Sequence, residues 1–196
     1  DELERILTKA TQITFSTSGK VMAFIAGGDI WVMDTILKEP VQVTNTPAWE
    51  TDLVFTKDGS ALYFIGQIEG QIDVLRAERK DDKQPWWRNE TFQIEKVTND
   101  DVAEEALSIS PQGTYLTYSR SRHGLWVLPL KQEDAVPRQL VNSWSGISYD
   151  WAPDDHWIVY SAADDNFNYD VFVLNVDDPK MVTNISGHPD NEGSPV

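Results

Sequence analysis

A fourfold internal repeat is the feature that most limits what this chain can fold into. Each copy has an apolar residue, a short turn rich in Ser, Asp or Gly, and an apolar strand, and the turns lie at residues 15–20, 55–60, 109–114 and 151–156. Within the strand, one aligned position is aliphatic or Met and the position two residues later is aromatic. The members are Met22, Leu62, Leu116 and Ile158, then Phe24, Phe64, Tyr118 and Tyr160. A spacing of two predicts a strand with one buried face.

Each copy continues with two further strand-like segments. β-branched and aromatic residues recur at residues 29–33, 71–75, 124–128 and 170–174, where they predict a third strand. A short closing strand is predicted at residues 42–45, 96–99, 139–142 and 181–184. Together with the strand that ends at the apolar residue before each turn, the repeating unit therefore has four short strands and a period of about 40 residues, with one long insertion in the second copy.

Four-stranded units of this period are typical of β-propeller blades. The sequence predicts an all-β fold of four four-stranded antiparallel blades, which we expect to be part of a larger propeller. The predicted ranges are a lead-in at 1–10, a partial propeller at 11–196, blades at 11–45, 51–99, 105–142 and 148–184, and the start of a fifth blade at 185–196. A β-sandwich is the alternative, and the in-register repetition of four different strands disfavours it.

The repeat resembles that of TolB-type propellers. The shared pattern is an apolar or aromatic residue, a turn like Ser-Pro-Asp-Gly, an aliphatic-x-aromatic strand, Asp-Ile-Trp-Val-Met at 29–33 and Val-Thr-Asn at 43–45. The resemblance covers residues 11–196. Thr17-Ser18 and Thr56-Lys57 depart from the usual Ser-Pro opening, and Asp155 takes the place of the turn Gly.

Residues 165–173, 182–189 and 192–196 look most like the propeller of bacterial tricorn-like serine peptidases, which carry PDZ and peptidase domains after it. That resemblance implies a noncatalytic segment that gates or presents peptide substrates, or docks neighbouring domains, in a periplasmic or other extracytoplasmic location. The alternative is a TolB-type protein-interaction propeller without enzymatic activity. A prolyl-oligopeptidase-type propeller is a third, less favoured parent.

Charge excludes other classes of function. The chain has 32 acidic and 16 basic residues, a formal net charge of -16, and no Cys. Such a surface repels nucleic acid and anionic lipid, and no apolar run is long enough for a spanning helix. The expected partners are the remainder of its own chain, neighbouring domains, and peptides or proteins, with no nucleic acid, no membrane insertion and no cofactor.

Candidates for nucleophilic catalysis are few. A triad needs a base, and the available ones are His123, His156 and His188. Ser148 follows Gly146 at the spacing of a nucleophile elbow, but the second Gly of that motif is missing. We therefore expect no catalytic residue in this chain.

One segment resembles a calcium loop. Oxygen ligands alternate at Asp164, Asn166, Asn168 and Asp170. Tyr169 and Asn175 stand where an EF-hand loop has its turn Gly and its bidentate Glu. A polar hairpin is the favoured interpretation, with calcium binding as the weaker one.

The insertion at residues 76–91 is the most individual feature of the sequence. It holds five of the 16 basic residues, together with adjacent Trp86 and Trp87. Trp and Arg dominate the binding energy of many interfaces, so Trp86, Trp87 and Arg88 are candidate partner-binding residues. Equally, the two Trp side chains could cover the edge of the blade. Residues 147–196 have the opposite charge, with ten acids against Lys180 alone.

Overall fold

A computed structural model describes residues 10–120, 124–132, 134–163 and 167–187. Within these residues, sixteen strands form four sheets, and each sheet is an antiparallel meander of four consecutive strands. In these ranges the only helical element is a 3-10 turn at Trp86–Arg88. The predicted fold class, all-β with four four-stranded antiparallel sheets, is confirmed. No helix in the described ranges is long and apolar enough to cross a membrane.

The chain divides into two compact units, residues 1–107 and 108–196. The first unit contains the first two sheets. The strands of its first sheet are β1 Thr11–Phe15, β2 Val21–Ala26, β3 Asp29–Asp34 and β4 Pro40–Gln42. Those of its second sheet are β5 Glu50–Phe55, β6 Ala61–Ile68, β7 Gln71–Arg79 and β8 Phe92–Lys96.

The second unit contains the last two sheets, and the division between units falls within β9. The strands of its first sheet are β9 Glu104–Ile109, β10 Tyr115–Arg120, β11 Gly124–Pro129 and β12 Arg138–Val141. Those of its second sheet are β13 Ser148–Trp151, β14 Trp157–Ala163, β15 Tyr169–Asn175 and β16 Val182–Asn184.

The second strand of every sheet supplies the core, but the prediction of a single buried face is wrong, because residues 23–26, 61–66 and 116–119 are buried without alternation. Phe24, Phe64 and Tyr118 are fully buried, and Tyr160 is nearly so. The aliphatic residues two positions earlier are also fully buried, whereas Met22 is half-buried. Burial of these large side chains on the same face of each sheet is the main stabilising contribution of the repeat.

The repeated turn needs a left-handed backbone at one position. Gly19, Gly59 and Gly113 adopt φ values of +67°, +70° and +70°, which glycine reaches without strain. Asp155 occupies the same place in the fourth copy, with φ +64°. Asp is one of the few other residues that tolerate this region.

A set of hydrogen bonds explains why Asp155 replaces the glycine. Its buried carboxylate accepts from Ser110 Oγ at 2.7 Å and from the backbone N–H groups of Gln112 at 2.8 Å and Thr114 at 3.2 Å. Burial acts to raise the pKa of Asp155, but these hydrogen bonds outweigh it and hold the pKa below its usual value. The fourth repeated turn, at residues 151–156, therefore holds the third, at residues 109–114, by hydrogen bonds.

The predicted register of the last strand is wrong by three residues. The sequence aligned residues 181–184 with 42–45, but Asn184 pairs with Phe172 as Gln42 pairs with Trp31. Ser186 Oγ accepts from the backbone N–H of Val171 at 2.8 Å, as Thr44 Oγ1 does from that of Ile30 at 2.7 Å. The repeated Val-Thr-Asn string suggested the earlier register, whereas the backbone pairing selects the later one.

The later register also places the residues after β16. The N–H of Ile185 donates to the carbonyl of Val171 at 2.9 Å, so Ile185 and Ser186 are still hydrogen-bonded to β15. Residues 188–196 of the predicted fifth blade, and residues 1–9 of the lead-in, lie outside the described residues. The fifth blade stays a prediction.

Candidate ligand cleft at the tryptophan loop

The loop between β7 and β8, residues 80–91, is anchored by Trp86; we refer to it as the tryptophan loop. Trp86 is 2% exposed. Its ring centroid lies 5.5 Å from that of Phe55 in an edge contact and 5.5 Å from that of Phe92 in a stack. The indole N–H donates to the carbonyl of Gly59 at 2.8 Å. These contacts make Trp86 a core residue of the first unit.

Asn89 fixes the shape of the tryptophan loop. The side chain is buried, and its Nδ2 donates to the carbonyls of Asp81 at 3.2 Å and Pro85 at 3.0 Å. Its Oδ1 accepts from the backbone N–H of Asp81 at 3.0 Å. Because this one side chain joins both ends of the loop, the backbone that carries Trp87 and Arg88 already has a fixed shape.

A cleft of about 470 Å³ lies beside this loop, within the first unit. Its walls are the β1–β2 turn, the β5–β6 turn and the tryptophan loop, which contributes Pro85, Trp86 and Trp87. The volume falls in the range of roughly 300–1,000 Å³ that is usual for ligand pockets. The cleft therefore has polar turns on two sides and an apolar wall of aromatic side chains on the third.

Three cationic side chains line the cleft from three separate segments: Lys20, Lys57 and Arg79. Arg79 is fixed in place, because its Nη1 donates to the carbonyl of Gln84 at 3.0 Å and its guanidinium lies 5.9 Å from the ring centroid of Trp86. The cleft is therefore a locally basic site in a chain whose net charge is -16.

The acidic group that lines the cleft, Asp58, is occupied by its own turn. Its Oδ1 accepts from the Ser60 N–H at 2.9 Å, from the Ser60 hydroxyl at 2.7 Å and from Thr56 Oγ1 at 2.7 Å. These hydrogen bonds, that of the Ser60 backbone foremost, hold the pKa of Asp58 below its usual value although burial acts to raise it. Asp58 thus stays ionised and turned toward its own loop.

The structure separates the three residues that the sequence singled out. Trp86 is inside the core, Trp87 is half-buried against the same core and lines the cleft, and Arg88 is exposed. The alternative interpretation, in which the two Trp side chains cover the blade, agrees with the burial of Trp86. Partner binding by Trp87 and Arg88 stays a prediction. The sequence does not indicate Lys20 and Lys57 as site residues, because only the folded turns bring them beside the tryptophan loop.

The structure describes two of the four calcium-binding candidates. Asp164 and Asn166 lie outside the described residues. Asp170 is buried, and its carboxylate accepts from Asn184 Nδ2 at 2.8 Å and Ser186 Oγ at 3.2 Å. Asp29 accepts from Gln42 Nε2 at 3.0 Å at the equivalent place, so this carboxylate ties the third strand to the fourth. Asn168 is half-buried, and calcium binding stays a prediction.

Of the three histidines, His156 belongs to the described residues and His123 and His188 do not. His156 Nδ1 lies 2.6 Å from Asp177 Oδ2, and both side chains are more than half exposed. The hydrogen bond to Asp177 raises the pKa of His156 above its usual value. The pair links the exposed β13–β14 turn to the segment that follows β15.

Glu50 is a buried carboxylic acid at the start of β5. It is 7% exposed, Oε1 accepts from Thr46 Oγ1 at 2.9 Å, and Oε2 has no hydrogen-bond partner in the described part of the chain. Burial, and to a smaller extent the nearby charge of Asp29, raises the pKa of Glu50 to about 7, against the hydrogen bonds from Thr46 and Thr44. Glu50 is therefore largely protonated in mildly acidic solution.

We expect Glu50→Gln to change how stability depends on pH. Between the unfolded pKa near 4.5 and the folded pKa near 7 the native state binds more protons, so wild-type stability falls as pH rises through this window. The amide cannot ionise. Glu50→Gln should therefore exceed the wild type by about 2 kcal/mol at pH 8 and match it at pH 4.5, measured by urea unfolding.

Glu39→Gln is the matched control, because Glu39 is exposed. It should follow the wild type at both pH values. Parallel pH profiles for Glu50→Gln and the wild type would show that folding does not raise the pKa of the Glu50 carboxyl.

Solved structures of known proteins are similar to this chain in fold. No protein-family model and no curated protein matches the sequence. The structure is similar to TolB from Acinetobacter baumannii, with a TM-score of 0.65 and 14% identity over 94% of this chain and 45% of that one. It is also similar to the tricorn protease, with a TM-score of 0.73 and 12% identity over 95% of this chain and 18% of that one.

A third solved structure has a different activity. The dihydro-heme d1 dehydrogenase NirN matches with a TM-score of 0.62 and 15% identity, over 90% of this chain and 36% of that one. The chain thus spans less than half the length of these three proteins. The expected resemblance to TolB-type and tricorn propellers is confirmed in structure, and the fold of this chain is that of β-propeller blades.

Proposed function

We propose that this chain is a noncatalytic β-propeller segment of a tricorn-like serine peptidase, where it binds peptide substrates for gating or presentation, or docks neighbouring domains. The observation that carries the proposal is the tryptophan loop. It is locked by Trp86 and Asn89, and it displays Trp87 and Arg88 beside a cleft.

The choice of a peptide or protein ligand is supported by the residues of this loop. Trp and Arg supply the largest binding contributions in protein interfaces. Pre-organisation reduces the entropy lost on binding, and the loop already has its shape in the free chain. The propeller fold alone would not favour this ligand, since a fold does not determine a function.

The alternative is a TolB-type interaction propeller without enzymatic activity. The reading frame that encodes this chain distinguishes the candidates. Sequence for PDZ and peptidase domains after residue 196 supports the tricorn-like parent, a stop codon after further blades supports the TolB-type one, and a hydrolase elbow supports a prolyl-oligopeptidase relative.

Retention of casein peptides by the immobilised chain tests the binding function. The double variant Trp87→Ala plus Arg88→Ala should retain peptides at least about tenfold more weakly, because two contact residues are lost. Mass spectrometry should show the same peptides uncleaved.

The control double variant is Trp49→Ala plus Lys83→Ala, which removes an exposed Trp and a cation that does not line the cleft. It should retain peptides as the wild type does. Equal retention by all three proteins would refute binding at the tryptophan loop, and reproducible cleavage would refute a noncatalytic role.

A further inference from the structure

We propose that the cleft beside the tryptophan loop binds an acidic peptide segment, with carboxylates at the cations and an apolar side chain against Trp87. This inference rests on the proposed function and specifies the ligand of the same site. It concerns the residues that line the cleft, at 16–18, 20–21, 57–59, 79 and 85–87, all of which the structure describes.

Charge is the first argument. The chain as a whole has a net charge of -16, yet the cleft is lined by three cationic side chains and one carboxylate. That carboxylate, Asp58, accepts three hydrogen bonds from Thr56 and Ser60 and is directed to its own turn. A ligand in the cleft therefore meets positive charge, which favours carboxylates.

The arrangement of the cations is the second argument. Arg79 is held by the Gln84 carbonyl and by the ring of Trp86, so its guanidinium is a fixed point of positive charge. Lys20 and Lys57 are exposed and come from two different turns. Three cations from separate segments around one cleft suit a ligand with several carboxylates.

The apolar wall favours a peptide over a small inorganic anion. Pro85, Trp86 and Trp87 line one side of the cleft, and its volume of about 470 Å³ is far larger than a single phosphate ion. An aromatic or aliphatic side chain between two acidic residues would bury apolar area against Trp87 while the flanking carboxylates meet the lysines.

Calorimetric titration with a defined peptide tests this inference. The probe is the pentapeptide Asp-Glu-Phe-Glu-Asp, blocked at both ends so that terminal charges do not contribute. Its uncharged counterpart, Asn-Gln-Phe-Gln-Asn, has nearly the same shape. We expect the acidic peptide to bind at least about tenfold more tightly than the amide peptide.

A matched pair of variants places the binding in the cleft. Lys20→Glu plus Lys57→Glu reverses two cleft cations, and Lys80→Glu plus Lys83→Glu makes the same change in net charge at exposed loop positions that do not line the cleft. The first should weaken binding of the acidic peptide at least about tenfold, and the second at most about twofold. Urea unfolding should confirm that both variants remain folded.

Three results would overturn the inference. The amide peptide could bind as tightly as the acidic one, both variants could lose affinity equally, or inorganic phosphate could displace the peptide with the peptide's own affinity. The third result would assign the cleft to small anions. If peptides bind without regard to charge but the Trp87→Ala plus Arg88→Ala variant loses them, the proposed function stands and only the acidic ligand is refuted.

Discussion

Replacing Trp86 with Ala should lower the free energy of unfolding of the first unit by about 3–5 kcal/mol. The side chain is 2% exposed and packs between Phe55 and Phe92, so its removal leaves a cavity among residues that cannot all close on it. The carbonyl of Gly59 also loses its indole donor. Urea unfolding followed by circular dichroism would measure the effect.

Trp49→Ala is the control, because it removes the same side chain from a position that is 48% exposed. Its effect should stay within about 0.5 kcal/mol. A Trp86→Ala variant as stable as Trp49→Ala would show that the tryptophan loop is not anchored in the core.

Gly124→Ala should destabilise the second unit by about 3 kcal/mol or more. Gly124 has φ +76°, and a Cβ there would lie 1.9 Å from the carbonyl oxygen of Val141. The first, second and fourth sheets have Asp29, Asp73 and Asp170 at the equivalent position, one residue before the backbone N–H that donates to Thr44, Thr98 or Ser186. The third sheet needs glycine because β12 approaches too closely for any side chain.

The matched substitution is Gly146→Ala, where an added methyl group meets nothing within 4 Å and φ is not positive. It should be neutral or slightly stabilising, since alanine restricts the unfolded chain more than glycine does. Thermal unfolding of both variants tests the contrast. Equal melting temperatures would contradict the close approach of β11 and β12.

The repeat was sufficient to predict the strands and one buried face of each second strand, but not the burial of the opposite face. Phe24, Phe64 and Tyr118 are fully buried where the alignment placed them, because alternation along a strand is a local property. The register of β16 was not predictable in the same way. Which of two similar polar strings pairs with β15 depends on hydrogen bonds such as that between Ser186 and Val171, which join residues 15 positions apart.

The candidate site was predictable only in part. The composition of the insertion drew attention to Trp86, Trp87 and Arg88, but not to the burial of Trp86, which depends on Phe55 and Phe92. Lys20 and Lys57 carry no signal in the sequence, because they lie in ordinary polar turns of different repeats. Only the packing of the first two sheets brings them to one cleft.

Amide hydrogen exchange, with and without the casein peptide that is retained most tightly, tests most directly whether the tryptophan loop is the binding site. The account predicts slower exchange in the β1–β2 turn, the β5–β6 turn and residues 84–89, with the fourth sheet unchanged. Binding that leaves these three segments unchanged would contradict it. So would slower exchange instead around Trp144 and Phe167 of the second unit, an exposed aromatic pair whose ring centroids lie 5.1 Å apart.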